Sequence, residues 1–198
     1  MGSNSNGMPP RVPAEKRLNV YALVIYVPDP LGRFLDDLRR DLIPGCNPHA
    51  HVSVLPPRPL GVDWPVASKQ VEALVDAQSP FDVELGEIRI FPVTNVIYIE
   101  VGAGAAELYH LHKAINRGAL AFDEPFVYHP HITLAQEIPL DQVQAVHETA
   151  QGRWRECRWQ RRFRADRAAF VQNTLGNCWI DLAEFALGHG TFARLRNS

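Results

Sequence analysis

Two short stretches of the chain carry residues able to move protons beside a phosphate. His49-Ala50-His51-Val52-Ser53-Val54-Leu55 and, eighty positions on, His129-Pro130-His131-Ile132-Thr133-Leu134-Ala135 both read His-x-His-x-hydroxyl. Their β-branched and aliphatic residues favour strands, in which side chains alternate between faces. His51 and Ser53 then share one face, as do His131 and Thr133, while Val52, Val54, Ile132 and Leu134 enter a core. A neutral imidazole with a pKa near 6.5 can accept or donate a proton near neutral pH, and a hydroxyl can donate to a non-bridging phosphoryl oxygen. Either stretch alone reads as an ordinary solvent-facing pair. Two copies in 198 residues could bring two imidazoles and two hydroxyls to one phosphodiester without a metal.

The elements around these stretches must place them together. Leu18 to Val27 is apolar and β-branched and predicts a buried strand ending at Pro28. Asp29-Pro30 supplies an N-cap and a first-turn proline. Leu31, Phe34, Leu35, Leu38 and Leu42 then form a helical stripe opposite Arg33, Asp37 and Arg40, broken at Pro44-Gly45. The first motif strand is expected to stop at Pro56-Pro57, and Asp63 to cap a helix burying Ala67, Val71, Leu74 and Val75. Strands are predicted over 81–85, 88–91 and 96–101, divided by Gly86 and Pro92.

The second half replays this order. Asn95-Val96-Ile97-Tyr98 resembles Asn19-Val20-Tyr21-Ala22, and Leu108, Leu111 and Ile115 form a stripe ending near Gly118. The interval from Asn19 to His51 is 32 positions and that from Asn95 to His131 is 36. A helix with Leu140, Val143, Val146 and Ala150 on one face and Gly152 beyond it follows the second motif. The alternation through Phe163, Ala165, Ala169 and Val171, the turn at 173–177 and the run Cys178 to Leu182 predict a closing hairpin. The reading is a flexible leader over 1–16 and one bilobal domain over 17–198, with internal repeats at about 18–94 and 95–187.

Composition narrows the partners. Twenty basic against 22 acidic residues, net −2, give no global field for long nucleic acid or an anionic membrane, so a phosphate must be held locally. Cys46, Cys157 and Cys178 form no Cys-x-x-Cys pair, which argues against a disulfide framework or zinc knuckle and for reduced thiols and a cytoplasmic location. No apolar run approaches the ~18 residues of a membrane span. A monomer is expected.

The paired motif resembles that of the 2H phosphoesterases, which include bacterial 2'-5' RNA ligase-like proteins and cyclic nucleotide phosphodiesterases. Their signature, two copies of His-x-Thr/Ser followed by an apolar residue, is met by His51-Val52-Ser53-Val54 and His131-Ile132-Thr133-Leu134, and the resemblance covers roughly residues 18 to 187. Ser53 stands where Thr is commoner, and Val54 where Leu is. The resemblance implies an α+β fold, a bilobal, pseudo-twofold duplicated module with two antiparallel sheets flanking a central cleft and helices outside. It also implies metal-independent phosphodiester hydrolysis with no cofactor, on a 2',3'-cyclic phosphate or a 2'-5' linked nucleotide or RNA end, with His51 and His131 as acid and base and Ser53 and Thr133 holding phosphoryl oxygens.

Substrate contacts are expected from Arg58 and Tyr128, by phosphate pairing and base stacking, and from His49 and His129, which face the motif side if the strands are regular. His110, His112, His147 and His189 read as structural or solvated. The run Arg153, Arg155, Arg158, Arg161, Arg162 and Arg164 with Trp154 and Trp159 reads as a solvated face before a polynucleotide site. Two rival readings of the motifs stand beside catalysis: four imidazoles sharing a metal ion, and a nucleotide-binding module without turnover.

Overall fold

Strand β1 (Arg17–Tyr26) opens the described part of the computed structural model, which covers residues 16–45 and 48–188. The expected leader up to residue 15, Cys46 and His189 lie outside the described residues. After β1 come α1 (Leu31–Leu42), β2 (His51–Arg58), α2 (Trp64–Asp76), β3 (Phe81–Ile90), β4 (Ile97–Val101), α3 (Ala105–Ile115), β5 (His131–Ala135), α4 (Val143–Arg155), β6 (Arg162–Ala165), β7 (Arg167–Thr174) and β8 (Trp179–Ala186). The fold is α+β with two four-stranded antiparallel sheets, ordered β2-β1-β7-β8 and β5-β4-β3-β6. In both, the motif strand lies at the edge beside the strand that leads its half.

The sheets do not follow the linear repeats at 18–94 and 95–187. β3, from the first repeat, pairs with β4 and β6, whereas β7 and β8, from the second, pair with the first sheet. The chain passes between sheets at Asp166, so the alternation from Phe163 to Val171 is two strands and not one. The helices interlock the halves further: α1 lies against β5 and α3 against β2, each on the motif strand of the opposite sheet. Leu31, Leu35, Leu38 and Leu42 are the buried stripe of α1. Gly32 permits its approach, because a Cβ there would stand 2.2 Å from the Val27 carbonyl oxygen.

Three predicted boundaries move for physical reasons. β2 runs on through Pro56 and Pro57, which an edge strand tolerates because one side of its backbone has no ladder partner. β3 is continuous across Gly86, with a register shift against β4 between Leu85 and Ile88. α4 continues past Gly152 because buried Trp154 anchors its last turn, donating Nε1–H to the Gly86 carbonyl at 3.0 Å, while Leu140 stays 78% exposed before the helix. One continuous core draws on all four helices and both sheets. No helix among the described residues is long and apolar enough to cross a membrane.

Candidate active site

Both motif strands begin at their histidine. Ahead of β2, the Ala50 N–H donates to Asp36 Oδ1 at 2.7 Å, and the Ala50 carbonyl accepts from Val27 N at 2.9 Å, which fixes the entry of the chain. Alternation then buries Val52 and Val54 fully and leaves His51 and Ser53 partly accessible. β5 repeats the pattern, with Ile132 and Leu134 in the core and His131 and Thr133 partly accessible. β2 and β5 are spatial neighbours, so the strands that carry the two histidine-hydroxyl pairs lie side by side, and the charge of His131 is felt at His51.

The imidazoles are held alike. His51 Nδ1 lies 2.6 Å from the His49 carbonyl oxygen, and His131 Nδ1 lies 2.6 Å from that of His129. A carbonyl can only accept, so each Nδ1 carries hydrogen and each neutral ring keeps its lone pair on Nε2. Burial lowers the pKa of His51 to about 4, with the charges of Arg39, His49 and His131 adding to the fall and the bond to the His49 carbonyl opposing it. Burial also lowers that of His131, aided by His129 and opposed by its carbonyl bond. Because the two imidazoles sense each other, a second proton on the pair is disfavoured. Among the described residues, neither the Ser53 nor the Thr133 hydroxyl has a protein hydrogen-bond partner.

Aromatic rings flank each histidine, and no sequence pattern announced them. Tyr26 stacks on His49 at 3.6 Å between centroids and meets the His51 ring edge-on at 6.3 Å. Phe91 and Tyr98, stacked on each other at 3.9 Å, meet His131 edge-on at 5.0 and 5.4 Å and also pack against His129.

Two expected substrate contacts are corrected. Arg58 is buried: its guanidinium pairs with Glu124, donates to Asn116 Oδ1 at 2.8 Å and to the carbonyls of Leu120 and Pro56 at 3.0 Å, and lies over Phe122. Its donors serve the fold and cannot reach a phosphate. Tyr128, 9% exposed, is a strut: its hydroxyl donates to the Ser53 carbonyl at 2.9 Å and its ring stacks on His112 at 3.9 Å. His112, structural as expected, pairs through Nδ1 with the Val54 carbonyl and lies 3.7 Å from Glu124 through Nε2.

His49 and His129 do lie beside their partner histidines, His129 at 6.2 Å from His131, but both rings are packed on aromatics. Among the described residues no three His, Cys, Asp or Glu side chains gather as a metal ion's ligands, so the four-imidazole set is not assembled. Four of the six arginines in the arginine-rich run have protein partners: Arg153 pairs with Asp41, Arg162 and Arg164 with Asp82, and Arg161 stacks on Trp154.

Comparison with known proteins gives the family and the fold. A Bacillus cytotoxicus protein carrying a provisional phosphoesterase name is 27% identical over 124 residues, 62% of this chain and 69% of its own. A Geobacillus kaustophilus protein named in the same way is 26% identical over 129 residues, 60% of this chain and 70% of its own. Among solved structures, Escherichia coli LigT complexed with 3'-AMP superposes with a TM-score of 0.59 at 16% identity, covering 87% of this chain and 98% of LigT. A Thermus thermophilus protein does so with 0.59 at 18% identity, covering 86% and 99%. These likenesses establish a LigT-like fold. The model of the 2'-5' RNA ligase superfamily matches residues 27–177, taking in both motifs and the strands that carry them, and the chain belongs to that superfamily.

Proposed function

We propose that the chain is a phosphodiesterase that opens a 2',3'-cyclic phosphate or cleaves a 2'-5' linked nucleotide or RNA end, with His51 and His131 as its acid and base and with no metal. The observation that carries this reading is the matched tethering of both Nδ1 atoms at 2.6 Å on neighbouring strands, which leaves two Nε2 atoms for one substrate. The nucleotides bound by LigT in solved structures, 3'-AMP, NADP+ and ATP, support a nucleotide-sized ligand.

In the forward step one neutral imidazole takes a proton from water through Nε2 as the water oxygen bonds to phosphorus. The other, protonated, gives its Nε2 proton to the departing ribose oxygen as that P–O bond breaks. Ser53 and Thr133 donate to the non-bridging oxygens as charge develops on them. His49 and His129 remain proposed neighbours of the substrate.

The test is a screen of 2',3'-cyclic nucleotides and short 2'-5' and 3'-5' oligonucleotides in EDTA. Cleavage that persists in the chelator is expected, because acid and base are both side chains. Turnover lost in EDTA and restored by zinc or manganese would show a metal-dependent hydrolase, and tight binding of every probe with no cleavage would show a receptor.

The pH dependence follows from the depressed imidazoles. The productive state of the pair holds one proton. With both pKa values below the ordinary 6.5, that state is scarce in the free protein at neutral pH and gathers as pH falls, until a second proton removes the base. The kcat/KM profile should therefore be a bell with its maximum on the acid side of 6.5. The kcat profile should lie at higher pH, because the bound phosphodiester anion favours imidazolium. A kcat/KM maximum above about 7.5 would contradict the assignment of both limbs to His51 and His131.

A further inference from the structure

The first sheet carries a second, smaller apolar cluster apart from the main core: Ala22, Val24, Ala169 and Val171, none more than 4% exposed. Val24 is the register partner of Ser53, so this is the sheet face that bears the motif. Tyr26 packs against the cluster. Its side chain leaves β1 and crosses β7 to place its hydroxyl on β8, where it donates to Asp181 Oδ1 at 2.6 Å. The small residues at 22 and 169 leave room beside the cluster for the Tyr26 ring. Upon the ring lies the imidazole of His49, 3.6 Å away and 11° from parallel, and it is the His49 carbonyl that accepts the His51 Nδ1–H.

We propose that Tyr26 and Asp181 are positioning residues for His51: the ring anchored on Asp181 fixes His49, whose carbonyl holds the His51 imidazole with Nε2 free for the substrate. The chain of contacts runs from a strand at the far edge of the sheet to the motif at the near edge, and Tyr26 and Asp181 lie outside both motifs. The second motif is braced differently, by Phe91 stacked on Tyr98, so loss of the Tyr26 anchor acts on one imidazole only. Burial and the bond to Asp181 both hold the Tyr26 hydroxyl in its protonated form, so it stays a donor across the working pH range. What His51 does rests on the phosphodiesterase reading. How His51 is held does not.

The test compares the parent with Tyr26→Phe, Asp181→Ala and Asp181→Asn, using long-range ¹⁵N spectra of the histidine rings at a mildly alkaline pH and kcat and KM on a 2',3'-cyclic nucleotide. The parent His51 should show a single Nδ1–H tautomer. Tyr26→Phe keeps the stack and loses the anchor, and Asp181→Ala removes the acceptor at an exposed position where folding is retained. Both should mix the His51 tautomers while His131 is unchanged. Both should lower kcat about 10-fold with KM held within about twofold, a fraction of the ~10²-fold that an ångström of misplacement costs. Asp181→Asn keeps an acceptor oxygen and should restore most of kcat and the parent spectrum. An unaltered His51 tautomer in both Tyr26→Phe and Asp181→Ala overturns the proposal, as does an equal change at His131. If the parent cleaves none of the cyclic nucleotides, the functional reading fails and the tautomer comparison alone decides the positioning role.

Discussion

Replacing His51 or His131 by alanine is expected to slow single-turnover opening of a 2',3'-cyclic nucleotide by about 10²- to 10⁴-fold, the range for loss of a positioned proton-transfer group. Binding of a non-hydrolysable analogue should fall far less, because both Nδ1 atoms are turned to backbone carbonyls and each ring presents a single nitrogen to the ligand. The double variant should be little worse than the worse single variant, since acid and base act as one unit. Ser53→Ala and Thr133→Ala should each cost on the order of 10²- to 10³-fold, the loss of one preorganised donor to developing charge. Parental cleavage in both histidine variants, with binding lost, would make the junction a receptor and end the catalytic assignment.

Arg58→Met should destabilise the protein by about 3–5 kcal/mol, because it leaves the carboxylate of Glu124 buried without its partner. The Glu124 side chain is only 10% exposed, and the same guanidinium satisfies Asn116, Leu120 and Pro56. The double variant Arg58→Met with Glu124→Leu should regain most of that loss, since two apolar groups in place of a buried pair are often neutral. Urea unfolding reads the difference as a lower midpoint at unchanged m-value. A single variant within about 1 kcal/mol of the parent would mean that water reaches the pair. The effect on activity is indirect: this cluster holds the segment that ends at Tyr128, whose hydroxyl ties β5's entry to the Ser53 carbonyl.

The shared face of each motif was legible in the sequence because alternation on a strand is a local rule. His51, Ser53, His131 and Thr133 share a face for the same reason that Val52 and Ile132 are buried, and neither needs knowledge of the partner strands. The helix stripe of α1 was legible for the same reason. What the sequence withheld depends on distant pairing. That β3 joins the second sheet and β7 and β8 the first is a matter of which edges meet, and period-two patterns are alike in every strand. Arg58 looked like a phosphate ligand because an arginine just past a motif has no local mark of burial. Its distant partners, Asn116, Leu120 and Glu124, lie 58 to 66 residues on. Tyr26 and Asp181, 155 residues apart, could not be joined by any spacing rule.

The interleaving of the sheets fixes the order in which their strands become available on a growing chain. The second sheet is drawn from one continuous stretch, residues 81 to 165, and has all its strands once that stretch exists. The first joins β1 to β7, a pairing that Gln172 extends to the Leu18 carbonyl 154 residues away, so β1 waits until β7 has been made before its inner edge is covered. Such distant closure is slow and leaves a strand edge open to wrong partners in the interval. A nascent chain halted at Asp166 already contains both histidine motifs, yet it owns only one finished sheet and lacks Asp181. The ribosome thus releases the last support of His51 long after it has made His51 itself.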